Sequence, residues 1–484
     1  MEGPPAYLLG VDLGTSACKA IVFGSDGRPK GSAEAELEIL HPRPTWAVGD
    51  PEDWWRVAAG LIREAVSKSG VRPSQIAAVG LCGLMHAPVL LGENGAPVEK
   101  AILWMDQRCR SQCERLRTEQ EAVFRRVTGG LPQTSASAGK LLWLAENRPD
   151  VISRARRFML PKDYLRYRLC GDWATDPGDG AGTGLMDRQR DEWSPELVKL
   201  VGFSLDAMPP IRPSSEVRGE VTEQAGSECG LAPGTPVVCG SNDVSCTVQG
   251  ANARRPGQLT LYLGTAAWLC LGEGENRPRF LGFAATSASC LKWWRQIAGV
   301  AAASYDELLH QAAGSAPGAG GLLFFPHLMG ERGPVADPRA KGAFFGLTLA
   351  HRGPDMLRAI LEGVGYHLRQ ILEAREVTAD EAFAVGGGAR SPLWLQIIAD
   401  ITGIGVRRAV VVESAALGAA MLAGVGVGIY ATAEEASSRL VRAGEVTEPR
   451  QALVRRYGRL YELWRQVDAA LQRFYGEFPE EDEP

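Results

Sequence analysis

Two stretches half a chain apart carry one pattern, and that repetition limits what the chain can fold into. Leu8–Lys19 runs Leu-Leu-Gly-Val-Asp-Leu-Gly-Thr-Ser-Ala-Cys-Lys, and Gln258–Cys270 runs Gln-Leu-Thr-Leu-Tyr-Leu-Gly-Thr-Ala-Ala-Trp-Leu-Cys. In each, an apolar run of strand length enters Leu-Gly-Thr, passes small residues and resumes as a second apolar run. Two such hairpins predict two similar domains that grip a nucleotide between them, a fold-level repeat rather than a solenoid period. In the first hairpin Asp12 sits where the strand enters the turn. Backbone N–H groups and hydroxyls of Gly14, Thr15 and Ser16 suit phosphate oxygens. A carboxylate beside them suits a hydrated Mg²⁺. The competing reading is an ordinary hairpin whose aspartate caps its turn.

At 484 residues the chain exceeds a single hydrophobic core, so two or three domains are expected. The net charge of −5, with no long basic run, gives no support for a nucleic-acid or anionic-membrane partner. No apolar run approaches the length of a membrane span, and the opening Met-Glu-Gly-Pro-Pro lacks the features of a secretory signal. The ten cysteines are scattered, and the nearest pair, Cys109 and Cys113, has no second pair at metal-ligand spacing. Reduced thiols in a cytoplasmic protein are therefore expected.

Strand and helix signals alternate in both halves, which argues α/β in each. Asp50–Lys68 has the cap, acidic first turn and apolar spacing of a helix. Gln75–Leu81 reads as a buried strand, and Ala138–Glu146 and Asp163–Leu169 as helices. Asp176–Thr183 is glycine-rich and reads as an irregular loop able to move. Thr235–Cys239 reads as a buried strand leading to Gly240-Ser241-Asn242-Asp243, a second strand end that carries a carboxylate. Beyond a turn at Arg254–Gly257, Ala284–Gly299 and Pro354–Arg375 are expected to be helical. Phe383–Val385 opens as a strand into Gly386-Gly387-Gly388-Ala389, and a helix follows over Pro392–Thr402, an arrangement suited to phosphate or nucleotide. Leu417–Val425 reads as a small-residue helix expected to pack on that glycine loop. The predicted domains are 1–250 and 251–475, followed by an acidic tail, 476–484.

Taken together these residues resemble the FGGY carbohydrate kinases, and the resemblance covers nearly the whole chain in order. Ser135–Asn147 is similar to the family's first signature, and Gly342–Glu362 to its second. Leu160–Arg166 and Gly330-Glu331-Arg332 are further family-like stretches. The resemblance implies two ribonuclease-H-like domains, of the actin, sugar kinase and chaperone ATPase type, flanking a catalytic cleft. It implies transfer of the ATP γ-phosphoryl group to a sugar hydroxyl with Mg²⁺. D-xylulose is the first expected acceptor, and gluconate, ribulose or a polyol are the alternatives. A reading from another class is a non-catalytic sugar or nucleotide sensor. A homodimer is one expected assembly.

By the same resemblance Asp243 matches the catalytic base and Asp12 the residue that organises the metal. Thr265, Gly386, Gly387, Gly388 and Ala389 match nucleotide-binding elements. Met85, His86, Trp104, Asp106 and Arg108 match stretches that line the sugar pocket, with Asp179 in a loop near it. Each has a plainer alternative. Asp243 could cap the helix after it, and His86 and Met85 could be core residues. Arg108 could pair with a nearby carboxylate, and the glycines could form only a tight turn. The chain departs from the family pattern at Ala87 (usually Gly), Met105 (usually Asn), Val244 (usually Asn or Gln) and Ala266 (usually Ser). Met105 and Val244 each put an apolar side chain where an amide is usual, on the expected sugar wall.

Overall fold

The computed structural model describes residues 7–253, 255–272, 278–331, 337, 339–379, 381–410 and 413–478. The opening hairpin pairs β1 (Tyr7–Leu13) with β2 (Ala17–Gly24), and β3 (Pro29–Glu36) continues the antiparallel meander. Helix α1 (Pro51–Ser69) forms where expected: the Asp50 carboxylate accepts from the Glu52 N–H at 3.1 Å, Pro51 opens the first turn, and Gly70 ends it in the left-handed region. Its stripe of Trp54, Trp55, Ala58, Leu61, Ile62 and Ala65 is buried, and this pulls the helix onto the sheet. The chain then returns as β4 (Ile76–Gly83), parallel to β1.

Helices α2 (Ser137–Asn147), α3 (Pro161–Cys170) and α4 (Pro177–Gly182) follow. The last replaces the irregular loop expected at Asp176–Thr183. The Asp176 carboxylate accepts from the N–H groups of Gly178 and Asp179, and Pro177 presets the first turn, so a short helix forms despite its glycines. Strands β5 (Val217–Glu220), β6 (Pro236–Val238) and β7 (Ser241–Asn242) complete a seven-stranded sheet of order β5-β6-β4-β1-β2-β3, with β7 paired to β4. Helix α5 (Asp243–Ala251) leaves directly from β7.

The second sheet repeats this plan. Strands β8 (Leu259–Leu263), β9 (Ala267–Leu271) and β10 (Arg279–Ala284) form an antiparallel meander. Helix α6 begins at Ala288 (Ala288–Ile297), four residues later than expected, because Ala284 is still paired with Ala267. Strand β11 (Leu323–Phe325) lies apart, and α7 (Gly353–Ala374) is a long buried helix. Strand β12 (Glu381–Val385) runs parallel to β8, α8 spans Pro392–Thr402, and β13 (Gly405–Val410) and β14 (Arg442–Thr447) complete the order β10-β9-β8-β12-β13-β14.

Helix α9 (Ser414–Gly426) is buried on all sides. It was expected on the Gly386–Ala389 loop; it packs instead on β1, β4 and α5. The reason is a set of glycines. A Cβ on Gly10 of β1 would lie 2.0 Å from the Ala416 carbonyl oxygen, and one on Gly80 of β4 would lie 1.9 Å from that of Ala419. A Cβ on Gly418 would in turn lie 2.0 Å from the Cys246 carbonyl oxygen. Backbone meets backbone at all three places. One compact unit is accordingly Met1–Gly250 with Val412–Leu440, and the other is Ala251–Val411 with Val441–Pro484. The second unit includes α10 (Gln451–Leu471), whose Tyr457, Tyr461 and Trp464 sit in its core. The ten cysteines are unpaired, and no helix among the described residues is long and apolar enough to cross a membrane. Of the expected acidic tail, 479–484 lie outside the described residues.

Gly10→Ala should therefore cost about 3 kcal/mol, since the helix backbone has to move away. Gly60→Ala, on the exposed face of α1 with nothing within 4 Å of the new Cβ, should gain about 0.5–1 kcal/mol. Urea unfolding of both variants checks this. A Gly10→Ala protein as stable as wild type would refute the close approach of α9.

Candidate active site

Strand register brings the two sequence-predicted aspartates to one edge of the first sheet. Asp12 pairs laterally with Cys82 on β4, and Cys82 pairs with Ser241 on β7, two residues before Asp243. All three strands are parallel and end together, so both carboxylates emerge from the same end. The Cys82 thiol donates to Asp12 Oδ1 at 3.3 Å. Lys19 lies opposite Asp12 on β2, but its ammonium is engaged by Glu413 at 2.9 Å and Glu34 at 3.4 Å. Burial raises the Asp12 pKa to about 6, outweighing the Cys82 hydrogen bond and Lys19. Burial, reinforced by the negative charge of Asp12, raises Asp243 to about 7. Helix α5 takes its cap from Asn242, whose side-chain oxygen accepts from the Ser245 N–H at 2.8 Å. Asp243, its first residue, accepts from the Val244 N–H at 2.9 Å through Oδ1.

His86 follows β4 in a left-handed conformation, φ +74°, which costs strain for a side chain of this size. The strained peptide is pinned by its carbonyl, which accepts from Ser137 Oγ at 2.9 Å and Lys140 Nζ at 3.0 Å, both on α2. The ring Nδ1 lies 2.6 Å from the Gly182 carbonyl oxygen. Because a carbonyl only accepts, Nδ1 carries the proton and Nε2 is left as an acceptor. Burial, aided by the Lys140 charge, lowers the ring's pKa to about 4, so it is neutral at neutral pH. Gly182 permits this contact: a Cβ there would lie 2.6 Å from Met85 Cε and 3.0 Å from His86 Cε1.

Trp104 Nε1 donates to Thr15 Oγ1 at 2.9 Å, tying the stretch expected to line a sugar pocket to the opening turn. Asp106 is buried and its oxygens are engaged within the protein: the Ala47 N–H at 2.6 Å, the Arg108 N–H at 2.9 Å, and the Arg108 guanidinium at 2.7–3.0 Å. Arg108 does pair with a nearby carboxylate, and its guanidinium stacks 3.8 Å above the Trp46 ring. Met105 packs on the core of the first unit, and Ala87 is fully buried.

In the second unit the predicted nucleotide residues also share a sheet end. Tyr262 on β8 pairs with Val385 on parallel β12, so Gly264-Thr265 and Gly386-Gly387-Gly388 leave the sheet side by side. Gly386 has φ +91°, and a Cβ on it would lie 2.6 Å from the Leu263 carbonyl oxygen. The Thr265 carbonyl accepts from the Ser287 N–H at 2.9 Å and the Ser289 hydroxyl at 2.8 Å, holding the turn against the start of α6. Ala389 is buried, and the Ser391 side chain caps α8.

Sequence reading did not single out Ser137, Lys140, Cys82 or the buried cluster around Lys162. The Lys162 ammonium, on α3, lies 2.6 Å from Asp163, 3.1 Å from Asp176 and 3.1 Å from Asp179. It thereby ties α4, with its Asp179, to the body of the first unit. Ser137 and Lys140 stand in the first signature stretch and Lys162 and Asp163 in Leu160–Arg166; for Lys140 a lone cation in a largely apolar helix was the available signal, whereas the polar helix around Lys162 gave none.

The N-terminal domain model of the FGGY family of carbohydrate kinases matches residues 7–250, and the C-terminal domain model matches residues 274–427. The chain is 34% identical to the xylulose kinase of Klebsiella pneumoniae over 439 residues, 87% of this chain and 90% of that one. It is 32% identical to the glycerol kinase of Polaromonas naphthalenivorans over 97% of this chain and 99% of that one. Its structure matches that of a xyloylose kinase from Brucella ovis with a TM-score of 0.87 at 30% identity, covering 97% of this chain and 100% of that one. The chain belongs to the FGGY family of carbohydrate kinases. Its two-domain α/β architecture is that of the actin-like sugar kinases, and ATP is a substrate of such enzymes.

The raised pKa of Asp243 has a consequence for stability. Folded, the group binds its proton up to about pH 7; its unperturbed value is 3.8. The unfolded chain therefore loses the proton first, and the folded state is penalised increasingly as pH rises from about 4 to 7. Asp243→Asn stays neutral and should gain stability over wild type across that window, reaching roughly 1–3 kcal/mol above pH 7. Melting curves at pH 5 and pH 8 without divalent cation check this. An equal difference at both pH values would contradict the raised pKa of Asp243.

Proposed function

We propose that the protein transfers the γ-phosphoryl group of ATP to a hydroxyl of D-xylulose, giving D-xylulose 5-phosphate, with Asp243 as the general base. The observation that carries this is the pair of half-buried carboxylates, Asp12 and Asp243, at the ends of two parallel strands that flank β4, in a chain of this family. Phosphoryl transfer asks for an aligned hydroxyl, a base for its proton and neutralised phosphate charge. A carboxylate raised to about 7 is matched to accepting a hydroxyl proton near neutral pH. Neutral His86 accepts a hydrogen bond from a sugar hydroxyl at Nε2, and Met85 offers an apolar face beside it. Asp106 contributes by fixing Arg108 and the loop that carries Trp104. Gly14, Thr15 and Ser16 receive phosphate oxygens, and Thr265 with Gly386, Gly387, Gly388 and Ala389 bind the nucleotide.

The donor chemistry at Asp12 fits Mg²⁺: a hard carboxylate oxygen, with a proton affinity that marks a site short of positive charge. When bound, the ion would neutralise charge on the phosphates, and Asp12 would hold it. The unpaired cysteines support a reducing, cytoplasmic setting.

Asp243→Ala should lose about two to four orders of magnitude in turnover while retaining ATP binding, because the proposed nucleotide residues lie mainly in the other unit. Asp12→Asn should raise the Mg²⁺ requirement. An ADP-release assay measures both, and a folded Asp243→Ala enzyme within tenfold of wild type would overturn the assignment of the base.

A second reading keeps the chemistry and changes the acceptor. Val244 and Met105 offer no hydrogen bond where an amide would, and an unpartnered buried sugar hydroxyl costs roughly 1–3 kcal/mol. Gluconate, ribulose and polyols therefore belong in the substrate panel. The double variant Val244→Asn with Met105→Asn should raise kcat/KM for D-xylulose relative to the others. A lower melting temperature with unchanged substrate ranking would mean that both side chains serve packing only. A pure sensor is disfavoured by the retention of both Asp12 and Asp243.

A further inference from the structure

Far from the aspartate pair in sequence, and within the second unit, three elements bring imidazole and carboxylate groups together in its interior. His327 follows β11, Glu331 lies four residues on in the same loop, and His367 projects from α7. All three are buried, and their donor atoms lie within 4.8 Å of one another. His327 Nδ1 is 2.9 Å and His367 Nε2 is 3.3 Å from the same oxygen, Glu331 Oε2. Two ligands bound at about 2.0–2.1 Å to a tetrahedral ion lie about 3.3 Å apart, so these atoms stand near ligand spacing already.

Two observations point to a ligand rather than to packing alone. His367 is fully buried, yet among the described residues its Nδ1 has no hydrogen-bond partner and its Nε2, 3.3 Å from Glu331, makes no hydrogen bond of acceptable geometry. A buried imidazole with both nitrogens unsatisfied is costly unless something fills the gap. The second is the outer arrangement. His327 Nε2 lies 3.0 Å from Asp468 Oδ1 on α10, and the other Asp468 oxygen accepts from Gln370 at 3.2 Å and Gln472 at 3.1 Å. A carboxylate held by two amides and bonded to the far nitrogen of a histidine is the outer support that metal-ligating histidines use.

We propose that His327, Glu331 and His367 bind a divalent transition-metal ion of the zinc type, with Asp468 orienting His327. Two imidazoles and one carboxylate suit Zn²⁺, Co²⁺ or Fe²⁺ and do not suit Mg²⁺, which prefers oxygen. The ion ties the loop after β11 to α7 and α10, and so acts as a staple in the second unit rather than in phosphoryl transfer. The rival arrangement is a metal-free one in which His327 is an imidazolium clamped by Glu331 and Asp468.

The test uses the full-length protein, stripped with a chelator and titrated with Co²⁺. The expected result is one Co²⁺ per chain, with visible d–d absorption that Zn²⁺ abolishes, and a melting temperature raised by Zn²⁺. His367→Phe keeps the ring volume and should lose the absorption and the Zn²⁺-dependent shift. Glu331→Gln is the second variant should that one not fold. Asp468→Asn should weaken binding by about 10- to 100-fold. Asp12→Asn should keep the absorption unchanged, which separates this site from any cation held near ATP. Absence of the band in wild type, or its persistence in both His367→Phe and Glu331→Gln, would overturn the proposal and leave the clamped imidazolium.

Discussion

The first unit depends on places where a side chain is missing. At Gly10, Gly80 and Gly418 the backbones of β1, β4, α9 and α5 approach so closely that a methyl group would overlap a carbonyl oxygen. This contact lets residues from beyond position 412 cover strands laid down in the first hundred. It also fixes the relative height of β1 and β4, and β7 pairs with β4 in turn. The positions of Asp12 and Asp243 thus depend on glycine packing that itself takes no part in the chemistry. Dispersion forces hold such an arrangement only while the fit is close, because a gap of under one ångström already forfeits much of the attraction.

What that packing holds in place is electrostatically unfavourable. Two half-buried carboxylates near one another are each pushed toward neutrality, and the fold bears the cost above neutral pH. His86 adds backbone strain, restrained by Ser137 and Lys140 through a single carbonyl. Lys140 itself is buried and has its pKa lowered to about 7, mainly by burial. Several groups are therefore kept in states that water would not favour, and such groups cluster at functional sites.

Much of this was legible in the residues, for identifiable reasons. The limits of α1 and α8 followed from local signals, a capping side chain and a proline at the start and a glycine after the end. The internal repeat was legible because Leu-Gly-Thr recurs between apolar runs of strand length. The destination of α9 was not legible: a helix apolar on every face gives no direction, and the glycines that receive it are hundreds of residues away. The helix at Pro177–Gly182 was hidden by its glycines, since composition argued for a loop while one capping aspartate argued against it. The commitment of Asp106 to Arg108 and Ala47 was half legible, because a pairing two residues apart could be guessed but Ala47 could not.

The repeated hairpins also explain how one frame can serve two tasks. Both sheets place a Leu-Gly-Thr turn at the end of a strand whose neighbour is parallel. The residue before that Leu is Asp12 in the first unit and Tyr262 in the second. The Tyr262 ring stacks on Trp268 at 5.1 Å and folds over Gly264, where a Cβ would meet it at 2.5 Å. An aromatic ring has thus taken the place of a carboxylate. The first turn keeps a negative charge at its base and is fit to organise a cation. The second is neutral at its base and lies beside a glycine loop that ends near the N-terminus of α8, where anions are favoured. The exchange of a carboxylate for an aromatic ring in a repeated hairpin thus removes a negative charge from the base of one turn and leaves the frame around it unchanged.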